Sequence, residues 1–574
     1  MSNKKTSRAL FSAVIKEFNG VDASAKYEDP LGSSQIVNFR IDKNGALRKR
    51  CGFGPLVSLP NGIDSLWSGR LFGQDRIVMV SGNTVYQYAG STLREIGQID
   101  GIEEGKSSIF LLDGELYFLT KAGIFRLDHT GLSTPVLYPP LIGKDWPSGW
   151  LGEPYEKRNL LSDYARITYL INDNPMLYLR IPEPIDGVAG LSRNGYELSR
   201  EEFEIDNNNL AIRIHEANEG DVFELTVKLK KASDELSLDA RTALECTVLG
   251  GIEQNRPCFW DSKKGNRIYP SRALSKDSIS DSRKHVMAVP IYVTEDDVIS
   301  VGTGDHKVMA ITSHFGRTLI FTENDTWRAA SVGDEALSDS APMRINTSIG
   351  TLALGGVVSV GNDPVSIGKH SLFKWTSNTD ELDEQNTYVI SSGIDPLISD
   401  GFRKSGALYF DRDKGDLYFY SRGTDSVWVW NVGRQKWVRF EGFAPDLIFE
   451  HAGRTAFVSG KEICIFDDSL TRDSSAFSSA DIEARFISNP IDFGSFEDKH
   501  LTFLEASAEG GELCVGLAFN DEETASKSFS VSPKDSKHII RQRIASRRFK
   551  CVRLEIRASG ASRQVLHSVR LDAR

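Results

Sequence analysis

The sequence predicts an all-β protein: a β-propeller that carries an inserted β-sandwich-like domain and is followed by a C-terminal β-sandwich. Two observations lead to this prediction. Short apolar or alternating runs recur along the chain, and glycine, aspartate and asparagine turns separate them. Comparable runs return about every 40 to 50 residues, the spacing expected of propeller blades. Stacked sandwiches are the alternative, because no tryptophan–aspartate dipeptide recurs at fixed spacing.

The composition favours strands and turns over helical bundles. The 574 residues include 30 Phe, 16 Tyr and 49 Gly but only 6 Met. Aromatic residues favour strands and glycine favours turns. Four dipeptides predict hairpin turns between the strand-like runs: Asn44-Gly45, Asp113-Gly114, Lys414-Gly415 and Arg422-Gly423.

Changes in the pattern divide the chain into five segments. The blade-like runs stop where Pro175, Pro182 and Pro184 appear, and an alternating run follows at 222–229. A Ser/Asp-rich stretch later separates the last blade-like run from further alternating runs. The predicted segments are an N-terminal segment with the first propeller blades (1–145), the inserted β-sandwich-like domain (146–256), the remaining blades (257–468), a linker (469–481) and a basic C-terminal β-sandwich (482–574).

Charge and cysteine content exclude several classes of protein. The 68 basic and 79 acidic residues give a net charge of −11, so a protein that coats nucleic acid with its whole surface is disfavoured. The six cysteines form no C-x-x-C pair, so we expect reduced core thiols and no metal site or cofactor. The N-terminus lacks a secretory pattern, and the uncharged run 345–362 is too short and mixed for a transmembrane helix. We therefore expect no membrane association and synthesis in a cytosol.

The charge is distributed unevenly. Residues 531–574 contain twelve Lys or Arg and three acidic residues, a local charge of +9, which leaves −20 on the rest of the chain. A basic end on an acidic body predicts electrostatic docking between subunits or onto a partner of opposite sign. The alternative is a strand edge that is kept basic against aggregation.

We find no catalytic motif and predict that the protein is not an enzyme. The chain has no H-E-x-x-H, G-x-S-x-G or phosphate-binding loop pattern. The segment 411–416 is similar to a calcium loop, but Arg422 stands where the closing glutamate is needed, which favours a polar hairpin. The segment 322–327 keeps only the Thr-Trp end of a sialidase-type Asp-box. Paired acids in a glycosidase-like cleft stay an open alternative.

Both ends of the chain resemble one protein family. The first stretch contains F-N-G-V-D at 18–22 and N-F-R-I-D-K-N-G-A-L-R-K-R-C-G-F at 38–53. The second contains I-E-A-R-F at 482–486, I-D-F-G at 491–494 and Lys499, followed by the basic runs R-Q-R at 541–543 and R-R-F-K at 547–550. These motifs resemble tail nozzle, or packaged-DNA stabilisation, proteins of the tail tubular type from short-tailed bacteriophages. One departure is Cys51, where such proteins often have proline.

The resemblance implies a structural virion component that forms a ring around the DNA exit channel of the tail, retains the packaged genome and lets it pass during ejection. It implies a homo-oligomer, a hexameric ring, that contacts the portal-adaptor ring and other tail proteins after assembly in the host cytoplasm. Phage DNA would pass through the lumen without sequence-specific contact. The candidate interface residues are Arg541, Arg543, Arg547, Arg548 and Lys550.

The charge pattern adds a hypothesis about orientation. An acidic lumen lets DNA slide and a basic lumen grips it, so we expect the acidic body to face the channel and the basic end to face neighbouring subunits. Two other functions stay open. One is a tail-associated propeller that binds or degrades receptor glycans, and the other is a cytosolic propeller scaffold.

Overall fold

A computed structural model describes most of the chain. The described residues are 11–23, 32–99, 108–138, 140–142, 158–171, 178–181, 184–206, 211–230, 240–250, 255–271, 289–314, 316–329, 341–376, 386–476, 478–520, 522–532, 537–544, 546 and 548–574. Strands dominate them, so the predicted all-β class is confirmed. Helix is confined to short pieces, such as α1 (Asp400–Lys404) and the 3₁₀ turns Glu295–Asp297 and Asp395–Leu397.

The chain opens with five strands that belong to sheets completed much later in the sequence. They are β1 (Phe11–Ile15), β2 (Ser33–Val37), β3 (Phe39–Ile41), β4 (Leu47–Lys49) and β5 (Gly52–Ser58). Two four-stranded antiparallel sheets follow. Blade 1 contains β6 (Ser65–Leu71), β7 (Gln74–Ser81), β8 (Thr84–Ala89) and β9 (Thr92–Gln98). Blade 2 contains β10 (Ser108–Leu112), β11 (Glu115–Thr120), β12 (Gly123–Asp128) and β13 (Gly131–Ser133).

An inserted domain interrupts the series after blade 2. Its strands are β14 (Pro140–Ile142), β15 (Tyr164–Leu170), β16 (Tyr178–Arg180), β17 (Ile185–Arg193), β18 (Tyr196–Glu197), β19 (Phe203–Ile205), β20 (Ala211–Ile214) and β21 (Val222–Leu229). They form one sheet in the order β14-β15-β21-β17-β18 and another in the order β16-β20-β19. Alternate residues of β21, including Phe223, Leu225 and Val227, are buried in a core of the domain's own. The inserted β-sandwich-like domain is therefore confirmed.

Five further blades follow the insertion. Their strands are β22 (Glu245–Gly250), β23 (Asn255–Trp260), β24 (Arg267–Pro270) and β25 (Ile299–Ser300) in blade 3; β26 (Val308–His314), β27 (Arg317–Thr322), β28 (Thr326–Ala329) and β29 (Met343–Asn346) in blade 4; β30 (Val357–Val360), β31 (Asp363–Ile367), β32 (Leu372–Trp375) and β33 (Thr387–Val389) in blade 5; β34 (Gly406–Asp411), β35 (Asp416–Ser421), β36 (Ser426–Asn431) and β37 (Lys436–Glu441) in blade 6; and β38 (Leu447–His451), β39 (Arg454–Ser459) and β40 (Glu462–Asp467) in blade 7.

The seven blades close into a ring. The first strand of each blade lies against the first strand of the next, from β6 through β10, β22, β26, β30 and β34 to β38, and β38 lies against β6. Separate apolar clusters fill the spaces between neighbouring blades, for example between blades 7 and 1 and between blades 1 and 2. Because each blade buries both faces against its neighbours, strands such as Asp416–Ser421 are buried along their whole length.

Strand β5 completes blade 7 as its fourth strand. It pairs antiparallel with β40, with Val57 opposite Ile463 and Phe53 opposite Phe466. The ring of Phe53 packs edge-on against Phe457, with ring centroids 5.0 Å apart. A strand from the start of the chain therefore joins the blade built from the end of the propeller sequence, and this pairing closes the ring without a covalent bond.

The C-terminal sandwich is built from both ends of the chain. Its late strands are β43 (Ala484–Ser488), β44 (Leu501–Glu509), β45 (Leu513–Phe519), β46 (Lys527–Val531), β47 (His538–Arg543), β48 (Val552–Ala558) and β49 (Val565–Ala573), and a hairpin of β41 (Arg472–Ser474) and β42 (Ser479–Asp481) precedes them. One sheet has the order β3-β4-β49-β44-β47, with β1 also on β49. The other has the order β34-β35-β36-β37-β2-β43-β48-β45-β46, so blade 6 and the sandwich share one continuous sheet. The domain boundaries stay a prediction, but these sheets place strands from the first fifty residues in the sandwich.

Candidate functional site

Two of the candidate interface residues, Arg541 and Arg543, lie on an open edge strand of the sandwich. Strand β47 is the last strand of its sheet and pairs only with β44 among the described strands. Its register places Arg541 opposite Glu505 and Arg543 opposite Phe503. An edge strand offers backbone N–H and C=O groups to another strand, so β47 is a template for pairing with a second chain.

The two faces of β47 differ in chemistry. Ile540 packs against the core of the sandwich, opposite the buried Ala506. Because strand residues alternate, Ile539, Arg541 and Arg543 point to the outer face. All three are exposed, and Ile539 is 62% exposed. The edge therefore presents an apolar side chain beside two arginines, and arginine is enriched at protein interfaces relative to ordinary surfaces.

Arg541 is held against the sheet instead of extending freely into solvent. Its guanidinium carbon lies 4.6 Å from the centroid of the Phe503 ring. Such a contact contributes about 0.5 to 1 kcal/mol at an exposed site. The ring therefore reduces the conformational entropy that Arg541 loses when a partner binds it.

The chain beyond β47 stays close to the same end of the sandwich. The backbone N–H of Ile544 donates to the carbonyl of Thr502 at 2.8 Å, and the Ser546 hydroxyl accepts from the backbone N–H of Leu501 at 2.6 Å. Phe549 is buried, whereas its neighbours Arg548 and Lys550 are exposed. Phe549 thus anchors a segment that displays two more cations. Arg547 lies outside the described residues.

A buried lysine connects this segment to an exposed aromatic residue. The Lys499 ammonium donates to the carbonyls of Ser495 at 2.5 Å, Glu497 at 2.8 Å and Lys550 at 3.2 Å. Burial lowers the pKa of Lys499. These bonds hold the loop that carries Phe496, which is 87% exposed, beside Lys550. Phe496 was not predicted from the sequence as part of this surface. A lone phenylalanine in the polar run G-S-F-E-D-K is the signal that could have identified it.

We define the basic edge as β47 together with Arg548, Lys550 and the Phe496 loop. The ion pairs of the sandwich, such as Arg557 with Glu555 at 2.7 Å and Arg570 with Asp572 at 3.0 Å, do not include the cations of the basic edge. Among the described residues, none of these cations forms an ion pair, so their charges are available to another molecule. Docking through them should weaken as salt screens the charges.

The segments considered as a calcium loop and as a sialidase-type Asp-box have structural roles in the propeller. Segment 411–416 forms the hairpin between β34 and β35, where Asp411 accepts from the backbone N–H of Lys414 at 3.0 Å. Asp325 is buried in the turn before β28 and accepts a hydrogen bond from the Trp327 indole N–H at 2.8 Å. Both carboxylates are therefore engaged in fixing turns.

The described ranges contain no group of three or more His, Cys, Asp and Glu side chains arranged to hold a metal ion. In the same ranges, no helix has the length and apolar character needed to cross a bilayer.

Comparisons with known proteins yield structural neighbours only. No protein-family model matches the chain, and no curated protein matches it. Among solved structures, the chain is similar to the AfRom2 CNH domain (7% identity, TM-score 0.34, covering 72% of this chain and 99% of that one). It is also similar to the WD40 domain of SCAP from fission yeast (8% identity, TM-score 0.32, covering 72% and 98%) and to YCF48 from Cyanidioschyzon merolae (10% identity, TM-score 0.29, covering 73% and 99%).

Proposed function

We propose that this chain is a structural subunit of the tail nozzle of a short-tailed bacteriophage, without catalytic activity. Copies of the chain form a ring around the DNA exit channel, a hexamer by the family resemblance. The ring retains the packaged genome and lets it pass during ejection. The observation that carries the proposal is the basic edge: an edge strand, open on one side and with outward cations, on a sandwich that shares a sheet with the propeller.

The connection between sandwich and propeller supports a role in a ring that bears force. Blade 6 continues into the sandwich through the parallel pair β37–β2 and the antiparallel pair β2–β43. Backbone hydrogen bonds therefore cross the boundary, and the two parts cannot rotate freely about a linker. A subunit of this kind holds its neighbour at a fixed angle, which a closed ring requires.

The charge pattern supports association of unlike surfaces. Residues 531–574 have a charge of +9, and the rest of the chain has −20. A heterologous contact, in which the basic edge of one copy meets an acidic surface of the next, repeats around a ring until it closes. The acidic remainder is then available to line the channel, where it repels the DNA backbone instead of gripping it.

Mass photometry of the purified chain tests this proposal. Six copies of a 63.7 kDa chain give a particle of about 380 kDa. We expect such particles at low salt and their dissociation at about 1 M salt, where the screening length falls to about 3 Å. The double variant Arg541→Glu/Arg543→Glu should remain monomeric.

The matched control is Arg94→Glu/Arg412→Glu, which makes the same charge change at two exposed propeller positions. It should still form the large particle. Monomers of the wild-type chain under every condition, or rings that tolerate the Arg541/Arg543 change, would refute the proposal.

A further inference from the structure

We propose that a cationic cavity where blade 6 meets the β3–β4 hairpin binds phosphate groups. The cavity has a volume of about 510 Å³, within the range of about 300 to 1,000 Å³ that is typical of ligand pockets. Its charged lining comprises six cations and two carboxylates, a net charge of +4: Arg40, Lys43, Arg48, Lys414, Arg434 and Lys436, with Asp42 and Asp416. This inference does not rest on the proposed function.

The register of blade 6 explains why cations gather there. Asp411 pairs with Asp416, Asp416 with Asn431, and Asn431 with Lys436, so these four residues form one row across the sheet. The two turns just beyond this row carry Lys414 and Arg434. A turn between the first two strands and a turn between the last two must lie at the same end of an antiparallel sheet. The fold therefore brings together charges that are 20 residues apart in sequence.

The β3–β4 hairpin adds cations from the opposite end of the chain. Arg40 donates to the Asp416 carboxylate and, at 2.6 Å, to the Tyr418 hydroxyl. Arg434 donates to the backbone carbonyl of Lys43, which fixes the hairpin beside blade 6. The Arg40 Nε is buried and has no acceptor among the described residues.

The two carboxylates of the cavity are already committed. Asp416 accepts from Arg40 and, at 2.9 Å, from the Asn431 amide. Asp42 accepts from the backbone N–H groups of Asn44 at 2.8 Å and Ala46 at 3.0 Å, and its oxygen is 3.9 Å from Arg48. They cannot also neutralise the lysines. None of the ion pairs between described residues includes Lys414 or Lys436.

The surplus of charge indicates the chemical class of the ligand. Glu17, which is not part of the lining, lies 3.8 Å from Arg434 and offsets one of the four excess charges. A single further carboxylate would neutralise one of the other three, whereas linked phosphates bring several charges into the same volume. Arginine and lysine are the residues that bind phosphate oxygens, arginine through two donors and lysine as a point charge. The phosphates can come from an inorganic polyphosphate or nucleotide, or from a nucleic-acid backbone.

Isothermal titration calorimetry of the full chain with tripolyphosphate at low ionic strength tests the inference. We expect saturable binding that weakens at least tenfold in Lys414→Gln/Lys436→Gln. The variant Asp42→Asn keeps an oxygen acceptor for the turn and removes one negative charge, so its affinity should rise. The control Lys369→Gln/Lys404→Gln changes two exposed lysines outside the cavity and should bind like wild type.

A parallel titration with a short DNA duplex distinguishes the two sources of phosphate. Loss of DNA binding in Lys414→Gln/Lys436→Gln alone assigns the cavity to a nucleic-acid backbone. Lysine-dependent binding of tripolyphosphate without DNA binding assigns it to small polyphosphates. No binding of tripolyphosphate, or an equal loss in the control variant, overturns the inference.

Discussion

Replacing Arg50 with methionine removes the cation of a buried ion pair that joins three parts of the chain. Its guanidinium donates to both oxygens of Asp473, at 2.8 Å and 2.5 Å. It also donates to the Asn38 side chain and to the carbonyl of Glu441, each at 2.9 Å. The Arg50 side chain is 1% exposed and that of Asp473 is 9% exposed. The pair therefore connects the N-terminal strands, the end of blade 6 and the β41–β42 hairpin.

The size of the effect follows from what the substitution leaves behind. Arg50→Met leaves the Asp473 carboxylate buried without its cation, and breaking a buried pair in this way costs about 3 to 5 kcal/mol. Arg50→Met/Asp473→Leu removes both charges and leaves apolar groups in their place, so it should cost less than Arg50→Met alone. The exposed Arg70→Met should change the free energy of unfolding by less than about 0.5 kcal/mol.

Urea unfolding followed by tryptophan fluorescence measures these differences in the free energy of unfolding. The dependence of that free energy on urea concentration is compared among the variants. A cost of less than about 1 kcal/mol for Arg50→Met would contradict the assignment of a buried pair. Asp473→Leu is also measured alone. A double variant whose loss of stability equals the sum of the losses in Arg50→Met and Asp473→Leu would likewise contradict it, because coupled partners must be non-additive.

Two further predictions concern residues on either side of Arg50. Gly52→Ala should lower the melting temperature, because the new Cβ would lie 1.9 Å from the carbonyl oxygen of Arg472. The control Gly62→Ala, with no atom within 4 Å of its new Cβ, should leave the melting temperature unchanged or raise it slightly. Equal changes in the two melting temperatures, measured by calorimetry, would contradict this prediction. Burial lowers the pKa of Lys49 to about 8 from 10.5. The unfolded chain then binds more protons than the folded chain between these pH values, so stability should rise with pH, by about 2 kcal/mol from pH 8 to pH 10. Lys49→Met should lose this rise in stability with pH, and the control Lys404→Met, at an exposed position, should keep it. Parallel plots of the free energy of unfolding against pH for wild type and Lys49→Met would contradict the lowered pKa of Lys49.

The local patterns in the sequence were sufficient for the fold class but not for the partners of each strand. Residues 416–420 are one of the short apolar runs that predict strands, and they lie in β35. Nothing in residues 52–58 indicates that they pair with 462–467, because pairing across 400 residues leaves no local periodicity. The same limit applies to β1–β4, whose sheets are completed by the C-terminal strands.

The composition of the predicted linker, residues 469–481, indicated its structure only in part. Its serines and aspartates favour turns, yet β41 and β42 form a hairpin within it. Asp473 in this hairpin is buried because Arg50, 423 positions earlier, supplies the opposite charge. A buried acid and a solvated acid look alike in a sequence when the partner is that distant.

The candidate site was predictable in charge but not in geometry. The cations at 541–550 were identified by counting, and the structure places the described ones on or next to an edge strand. The edge position depends on which strands pair, so it required the fold. The phosphate cavity was missed for a similar reason. Asn44-Gly45 and Lys414-Gly415 were each identified as turns, but only the junction of the β3–β4 hairpin with blade 6 brings those turns together.

Cryo-electron microscopy of the assembled chain is the decisive test of the proposed ring. We expect a closed ring in which β47, with Arg541 and Arg543, lies at the contact between subunits or with the adaptor, while acidic surface lines the central channel. A solitary seven-bladed molecule, or a ring with Arg541 and Arg543 lining its lumen, would contradict it.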